Sequence, residues 1–189
     1  MKKLFLIGDS IRMGYEPFVR QNLEGKAEIY SPPENCRFTQ YTLRYLHEWT
    51  ATVPADEIDL VHWNNGLWDI NQLYGDENLT PLDVYIAFLR RIANRIKILM
   101  PKAQIIFALT TPVIEEQNNP VSVISNNDIN KYNDAASRLM AELNIPVNDL
   151  YGAASTFPQS LYRDRLHFTE EGYKLLADHV TDMCIQWIS

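Results

Sequence analysis

Short apolar runs alternate with longer amphipathic segments from one end of this chain to the other. Each apolar run is bounded by glycine or by polar residues, which is typical of strands buried on both faces of a parallel sheet. Five such runs predict strands, at Lys3–Ile7, Ala27–Tyr30, Ile58–Trp63, Gln104–Leu109 and Ile145–Val147. The alternation therefore predicts an α/β fold.

Between these runs, apolar residues recur every three or four positions, which predicts helices with one buried face. The helices are expected at about 13–23, 39–50, 80–99, 128–143 and 169–188. Strands that alternate with helices form a mostly parallel sheet, with right-handed crossovers and helices on both faces. We therefore predict a single domain over residues 1–189 with a five-stranded sheet in the order 2-1-3-4-5.

The composition narrows the class of protein. A formal net charge of −7 argues against binding to nucleic acid through phosphate contacts and against an anionic membrane surface. No apolar run approaches the ~20 residues of a membrane span. The run after Met1 is also shorter than the ~7–15 residues of a secretory signal core, so the chain as written is expected to be cytoplasmic. Cys36 and Cys184 fit neither a disulfide framework nor a zinc pattern, and both are predicted to be free thiols.

Ser10 follows the first strand directly, after Gly8 and Asp9, at the point where a helix begins. Ligands of open α/β sheets bind at the carboxyl ends of the strands. The N-terminus of a helix also favours negative charge as it develops. Ser10 is therefore a candidate nucleophile, provided that a base takes its proton.

Asp164 and His167 stand three residues apart, just before the last helix. In a turn, this spacing lets the carboxylate reach Nδ1 of the imidazole while Nε2 points toward Ser10. An acid in that position fixes the tautomer of the base and stabilises the imidazolium. The residues thus predict a Ser-His-Asp arrangement, with Asp69 after the third strand as an alternative acid.

Cleavage of an ester by serine also needs hydrogen-bond donors where the carbonyl oxygen becomes negative. The backbone N–H of Ser10 is one candidate for this oxyanion hole. A side-chain amide after the third strand, from Asn64 or Asn65, is another. The loop that contains Asn35 and Cys36 supplies a third candidate, through a backbone N–H or the Asn35 amide.

Three blocks together resemble the SGNH (GDSL-like) hydrolase superfamily. They are Gly8-Asp9-Ser10-Ile11, Asn64-Asn65-Gly66-Leu67-Trp68-Asp69 and Asp164-x-x-His167. The resemblance implies a flavodoxin-like three-layer α/β/α sandwich and a serine esterase or acylhydrolase that needs no metal or organic cofactor. It also implies that Ser10 is the nucleophile, His167 the base and Asp164 its partner.

Two blocks depart from the family pattern. The second block of the family usually contains a glycine that donates a backbone N–H, and here Asn35-Cys36 stand in its place. The third block is commonly Gly-x-Asn-Asp, and here it is Asn64-Asn65-Gly66-Leu67. We favour Asn64 as the oxyanion donor because it leaves the strand first, with Asn65 as the alternative.

The expected substrates are carboxylic esters, with O-acetyl or other short acyl groups on a carbohydrate-like alcohol. Arg12 and Arg37 flank the predicted site and could bind an acidic group, and Trp68 could stack on a sugar ring. Three alternatives remain open on the same residues. They are a lysophospholipid or thioester substrate, acyl transfer to an alcohol, and a degenerate relative that binds a glycan without cleaving it.

Overall fold

The computed structural model describes residues 1–188, and a five-stranded parallel sheet forms its centre. The strands are β1 (Lys2–Ile7), β2 (Ala27–Tyr30), β3 (Leu60–Trp63), β5 (Gln104–Ala108) and β7 (Val147–Asn148). They lie in the order β2-β1-β3-β5-β7. Two short strands, β4 (Gln72–Leu73) and β6 (Ser122–Val123), pair antiparallel in a separate sheet. When those two are left out of the numbering, the order is the predicted 2-1-3-4-5.

Helices connect the strands and cover the sheet. They are α1 (Ser10–Asn22), α2 (Thr39–Thr50), α3 (Leu67–Ile70), α4 (Leu82–Leu99), α5 (Asn126–Glu142), α6 (Leu150–Ser155) and α7 (Glu170–Ile188). Helix α1 packs against α7, while α2 packs against α4, which also contacts α5. This confirms the α/β class and the five long helices. The apolar pattern of the sequence does not predict the short elements α3, β4, β6 and α6.

The core lies along the central strands. In β1, the side chains of Leu4 to Ile7 are completely buried, because helices cover the sheet on both faces. Cys36 and Cys184 are buried free thiols, as predicted. None of the helices within residues 1–188 has the length and the apolar content needed to cross a membrane.

His62 is a fully buried polar residue in the middle of β3. Its Nε2 lies 3.2 Å from Nδ2 of Asn148, and its Nδ1 lies 3.4 Å from the hydroxyl oxygen of Tyr15. Because the Asn148 amide nitrogen is a donor, Nε2 accepts and Nδ1 carries the proton, which is the neutral form of the ring. Burial lowers the pKa of His62 from 6.5 to about 4.

We expect His62 to make the fold sensitive to acid. The folded pKa lies below the unfolded one, so the unfolded chain binds the proton first, and stability falls as the pH drops from about 6.5 toward 4. Between pH 7 and pH 5 the loss from this group is about 2 kcal/mol. Urea unfolding at both pH values should show a smaller loss for His62→Gln than for the wild type. The matched control His47→Gln, at an exposed histidine, should keep the wild-type loss. An equal pH dependence in His62→Gln and wild type would contradict this assignment.

Candidate active site

Ser10 is the first residue of α1, and only Gly8 and Asp9 separate it from the end of β1. The carboxylate of Asp9 caps the helix by accepting a hydrogen bond from the backbone N–H of Ile11 at 2.9 Å. This cap explains why the helix begins at Ser10 and not at Met13, where the apolar pattern begins. A Cβ on Gly8 would lie 2.7 Å from Cβ of Arg12, so the tight connection between strand and helix requires glycine.

The three side chains of the predicted triad lie in line at the carboxyl edge of the sheet. Oγ of Ser10 is 2.8 Å from Nε2 of His167. Nδ1 of the same ring is 2.9 Å from Oδ2 of Asp164 and 3.0 Å from Oδ1. The arrangement orients the imidazole so that Nε2 can accept the proton of the serine hydroxyl.

The acid of this arrangement is held in its charged form. Burial raises the pKa of Asp164. Hydrogen bonds from the backbone N–H groups of His167 and Leu166 and from the His167 ring outweigh burial and lower the pKa to about 2. The two backbone bonds measure 2.8 and 2.9 Å. Asp164 therefore stays ionised at neutral pH, where it can stabilise a charged imidazole.

Asp69, the alternative acid, has a structural role instead. Its buried carboxylate accepts hydrogen bonds from the backbone N–H of Thr39 at 3.1 Å and from the Thr39 hydroxyl at 2.6 Å. It thereby ties α3 to the first residue of α2. Burial raises the pKa of Asp69 to about 6, against the opposing effect of the Thr39 hydrogen bonds. The structure pairs His167 with Asp164 and not with Asp69.

A pocket of about 130 Å³ opens beside Ser10 and His167. Apolar side chains form much of its wall, namely those of Leu67, Trp68, Ile124 and Leu166. Trp68 is 39% exposed and therefore also faces solvent. Ile124 directly follows β6, so the connection between β5 and α5 contributes a wall of the pocket. The pocket suits a small apolar group bonded to a carbonyl carbon next to Ser10.

Two of the predicted oxyanion donors are already engaged. The backbone N–H of Cys36 donates to the carbonyl oxygen of Gly8 at 3.1 Å. The side-chain amide of Asn65 donates to the carbonyl oxygen of Arg37 at 3.0 Å and to Oγ1 of Thr42 at 2.9 Å. Both hydrogens of that amide are thus used, and Asn65 is fully buried. These bonds leave Cys36 and Asn65 as supports of the loops and correct the expectation that either supplies a donor.

Asn64 and Asn35 keep donor capacity. Nδ2 of Asn64 donates one hydrogen to the carbonyl oxygen of Ala108 at 2.8 Å, and an amide has two. The backbone N–H of Asn64 donates to Ile7 at 3.0 Å, which holds the residue beside the end of β1. Asn35 uses its Oδ1 to accept from the backbone N–H of Arg37 at 2.8 Å. The N–H of Ser10 lies in the first turn of α1, where backbone N–H groups have no acceptor within the helix.

Arg12 supports the second block. It is only 4% exposed, and its guanidinium donates to Glu16 at 2.6 Å and to the carbonyl oxygens of Pro32 and Glu34 at 3.3 and 2.6 Å. These contacts connect α1 to the loop that precedes Cys36. A buried guanidinium with these partners is not free to bind an acidic substrate group, which corrects the role expected from the sequence.

Arg37 adopts the backbone conformation that favours glycine, with a φ of 53°. In the sequence, Asn35-Cys36 stand where the second block of the family has its glycine, and the left-handed residue lies one position later. The Arg37 side chain is exposed, and its guanidinium carbon lies 4.7 Å from the centroid of the Tyr41 ring. Only the backbone angles reveal this feature, because no residue type in the block signals it.

Comparison with known proteins agrees with the fold and identifies the family. The profile of the GDSL-like lipase/acylhydrolase family matches residues 6–175. The chain therefore belongs to the GDSL-like lipase/acylhydrolase family. It is also similar to the GDSL esterase/lipase WDL1 of Oryza sativa subsp. japonica, with 29% identity over 125 residues. That match covers 57% of this chain and 48% of the relative, so the chain spans about half the length of the curated relative.

Solved structures share the fold over nearly the whole chain. A lipase/acylhydrolase from Enterococcus faecalis has a TM-score of 0.79 at 22% identity, covering 97% of this chain and 95% of its own. The acetyl xylan esterase AlAXEase has a TM-score of 0.76 at 18% identity, covering 96% and 98%. A carbohydrate esterase family 3 protein from Talaromyces cellulolyticus has a TM-score of 0.75 at 19% identity, covering 100% and 98%. At these identities the likeness shows a common fold.

Proposed function

We propose that this chain is a serine esterase that removes acetyl or other short acyl groups from a carbohydrate-like alcohol. The observation that carries the proposal is the 2.8 Å contact between Oγ of Ser10 and Nε2 of His167, whose other nitrogen faces the ionised Asp164. A hydroxyl at this distance from an oriented imidazole can be activated as a nucleophile. Membership in the GDSL-like family supports the same chemistry.

The first half of the reaction forms an acyl-enzyme. Oγ of Ser10 attacks the ester carbonyl carbon while Nε2 of His167 takes the hydroxyl proton. The carbonyl oxygen becomes negative and accepts hydrogen bonds from the backbone N–H of Ser10 and from the second N–H of the Asn64 amide. When the tetrahedral intermediate collapses, the bond from carbon to the alkoxy oxygen breaks, and His167 returns the proton to the departing alcohol.

Water completes the cycle. It enters the place of the alcohol, loses a proton to Nε2 of His167 and attacks the acyl carbon. The bond between that carbon and Oγ of Ser10 breaks, and the serine recovers its proton from the imidazole. Asp164 stays ionised throughout and stabilises the imidazolium in both halves. An alcohol in place of water would give acyl transfer by the same steps.

The pocket supports a short acyl group. Its volume of about 130 Å³ and its apolar wall of Leu67, Ile124 and Leu166 accommodate a few carbon atoms. Trp68, partly exposed at the same pocket, offers an aromatic face to a sugar ring on the alcohol side. The fold shared with an acetyl xylan esterase and a carbohydrate esterase adds support for the carbohydrate alcohol.

A lysophospholipid or another lipid ester is the second candidate. The observation that favours it is a set of exposed apolar side chains around β4 and β6, with Leu73, Tyr74 and Val121 exposed by 40%, 81% and 47%. Such side chains beside a pocket can contact an alkyl chain. In this reading the apolar surface, and not Trp68 alone, would hold the substrate.

A chain-length series tests the two candidates against each other. With p-nitrophenyl esters from acetate to dodecanoate, we expect kcat/KM to be highest for acetate or butyrate and to fall by at least about tenfold by octanoate. Acetylated xylo-oligosaccharides should release acetate, and a lysophosphatidylcholine should be cleaved more slowly. The highest kcat/KM on dodecanoate or on the lysophospholipid would favour the second candidate and overturn the first.

A further inference from the structure

Arg165 stands between the two triad residues Asp164 and His167, and its side chain contacts a different part of the molecule. Its Nη1 donates to Oδ1 of Asn118 at 2.9 Å and also to the carbonyl oxygen of Ser122. Its Nη2 donates to Oγ of Ser122 at 2.5 Å. One guanidinium therefore connects the loop of the catalytic histidine to the segment that contains β6.

The segments 71–73 and 118–124, here called the pocket wall, contain β4 and β6. Oγ of Ser122 donates to Oδ1 of Asn71 at 2.6 Å, so the contact of Arg165 continues into β4. Asn71 and Ile124 belong to the pocket wall and line the pocket beside Ser10. The side chain of Arg165 thus reaches, in two hydrogen bonds, a residue that faces the acyl group.

The pairing of β4 with β6 contributes little stability to the pocket wall by itself. Each of its strands is two residues long, and an isolated two-stranded sheet is marginal in water even at greater length. A guanidinium offers several donors in a fixed planar fork, which suits the acceptors of Asn118 and Ser122. The backbone carbonyl oxygen of Arg165 also accepts a hydrogen bond from the N–H of Ile114 at 2.9 Å, which connects the loop of His167 to the chain that precedes the pocket wall.

We propose that Arg165 is a positioning residue, which holds the pocket wall against the loop of Asp164 and His167. The alignment of His167 with Ser10 and the length limit of the acyl pocket then depend on the same side chain. This inference rests on the proposed function for its catalytic consequences. Its structural part, the coupling of the wall to the loop, is independent of the reaction.

The test compares Arg165→Met with Arg163→Met. Arg163 lies in the same loop, its Nε is 3.7 Å from Oδ2 of Asp164, and its side chain is 66% exposed. Both variants remove one positive charge near the triad acid, and only Arg165→Met removes the bonds to the pocket wall. Arg165→Lys keeps the charge without the planar fork and should give an intermediate result.

The first measurement is hydrogen exchange, which needs no activity. In Arg165→Met we expect faster exchange in the pocket wall, in residues 163–167 and at the neighbouring N–H of Tyr74, which donates to the carbonyl oxygen of Val121. Arg163→Met should exchange like the wild type in the pocket wall. Unchanged exchange in Arg165→Met would overturn the proposal whatever reaction the protein performs.

The second measurement is the chain-length series. Arg165→Met should lower kcat for the acetate ester by about 10- to 100-fold, because a small displacement of a catalytic group is costly. The ratio of kcat/KM for acetate over octanoate should also fall, while Arg163→Met keeps the wild-type ratio. A loss of rate equal in both variants, or an unchanged ratio in Arg165→Met, would overturn the catalytic part of the proposal.

Two further experiments separate the coupling through Arg165 from the proposed esterase function. Ser122→Ala should reproduce part of the Arg165→Met effect, and the double variant should lose less than the sum, because the residues share one interaction. An additive double variant would count against the coupling. If the wild type fails to react with a fluorophosphonate at Ser10, the proposed function fails, and the hydrogen-exchange result still decides the structural part.

Discussion

Ser10→Ala is expected to lower kcat/KM for p-nitrophenyl acetate by at least about 10⁴-fold. The rate that remains is the one that the pocket and the oxyanion donors give without a nucleophile. The reason is the loss of the hydroxyl that lies 2.8 Å from Nε2 of His167. Without that oxygen no acyl-enzyme forms, and the remaining path is direct attack by water. Steady-state hydrolysis of the acetate ester by the purified variant measures the effect.

The matched control is Ser155→Ala. That serine is exposed and donates only to the carbonyl oxygen of Tyr151 at 2.7 Å, so its removal should leave the rate unchanged. A fluorophosphonate should label the peptide that contains Ser10 in wild type and in Ser155→Ala, and should leave Ser10→Ala unlabelled. Wild-type turnover by Ser10→Ala, or a label on a different residue, would refute the nucleophile.

Asn64→Ala is expected to have the second largest effect, a loss in kcat of about 10²–10³-fold with little change in KM. One N–H of the Asn64 amide donates to the carbonyl oxygen of Ala108 at 2.8 Å, which fixes the direction of the group. In the proposed mechanism the other N–H donates to the carbonyl oxygen when that oxygen becomes negative. Because the contact strengthens only in the transition state, kcat and kcat/KM should fall together.

Asn35→Ala is the comparison for this variant. Asn35 carries the same amide, and its Oδ1 accepts from the backbone N–H of Arg37 at 2.8 Å within the second block. We expect its kcat to stay within about threefold of wild type, because its bond exists equally in the ground state. Urea unfolding of both variants shows whether either has lost stability. A wild-type kcat in Asn64→Ala together with a large loss in Asn35→Ala would show that Asn35, in the second block, is the oxyanion donor.

The strands and the pairing of Asp164 with His167 could be predicted because the signals are local. The run Leu4 to Ile7 is continuous and apolar, and such a run needs burial on both faces wherever it lies in the chain. The spacing between Asp164 and His167 is short enough for one turn to bring their side chains together. In both cases neighbouring residues hold nearly all of the information.

The supporting residues could not be assigned in this way, because distant residues decide what each side chain contacts. Asn64 and Asn65 are adjacent and identical in type. Only Asn65 uses both hydrogens of its amide, in bonds to the carbonyl oxygen of Arg37 and to Oγ1 of Thr42. Arg12 turns inward to Glu16 and to the carbonyl oxygens of Pro32 and Glu34, which lie 20 and 22 positions away in the chain. The start of α2 depends on a distant residue in the same way, since the backbone N–H of Thr39 donates to the carboxylate of Asp69, thirty residues later in the chain.

The amino-acid sequence by itself determined the α/β fold, the strand order and the three side chains that meet at the edge of the sheet. Periodicity encodes the strands and helices, and the short spacing of Asp164 and His167 encodes the acid–base pair. The position of Ser10 after the first strand, together with the resemblance of the three blocks to the GDSL-like family, predicted the third side chain. Only the tertiary structure decided which asparagine amide keeps a free N–H and that Arg12 is buried. It also decided that Arg165 connects the loop of Asp164 and His167 to the pocket wall. The reason is that a hydrogen-bonding group can satisfy only a few partners, and those partners become neighbours only after the chain has folded.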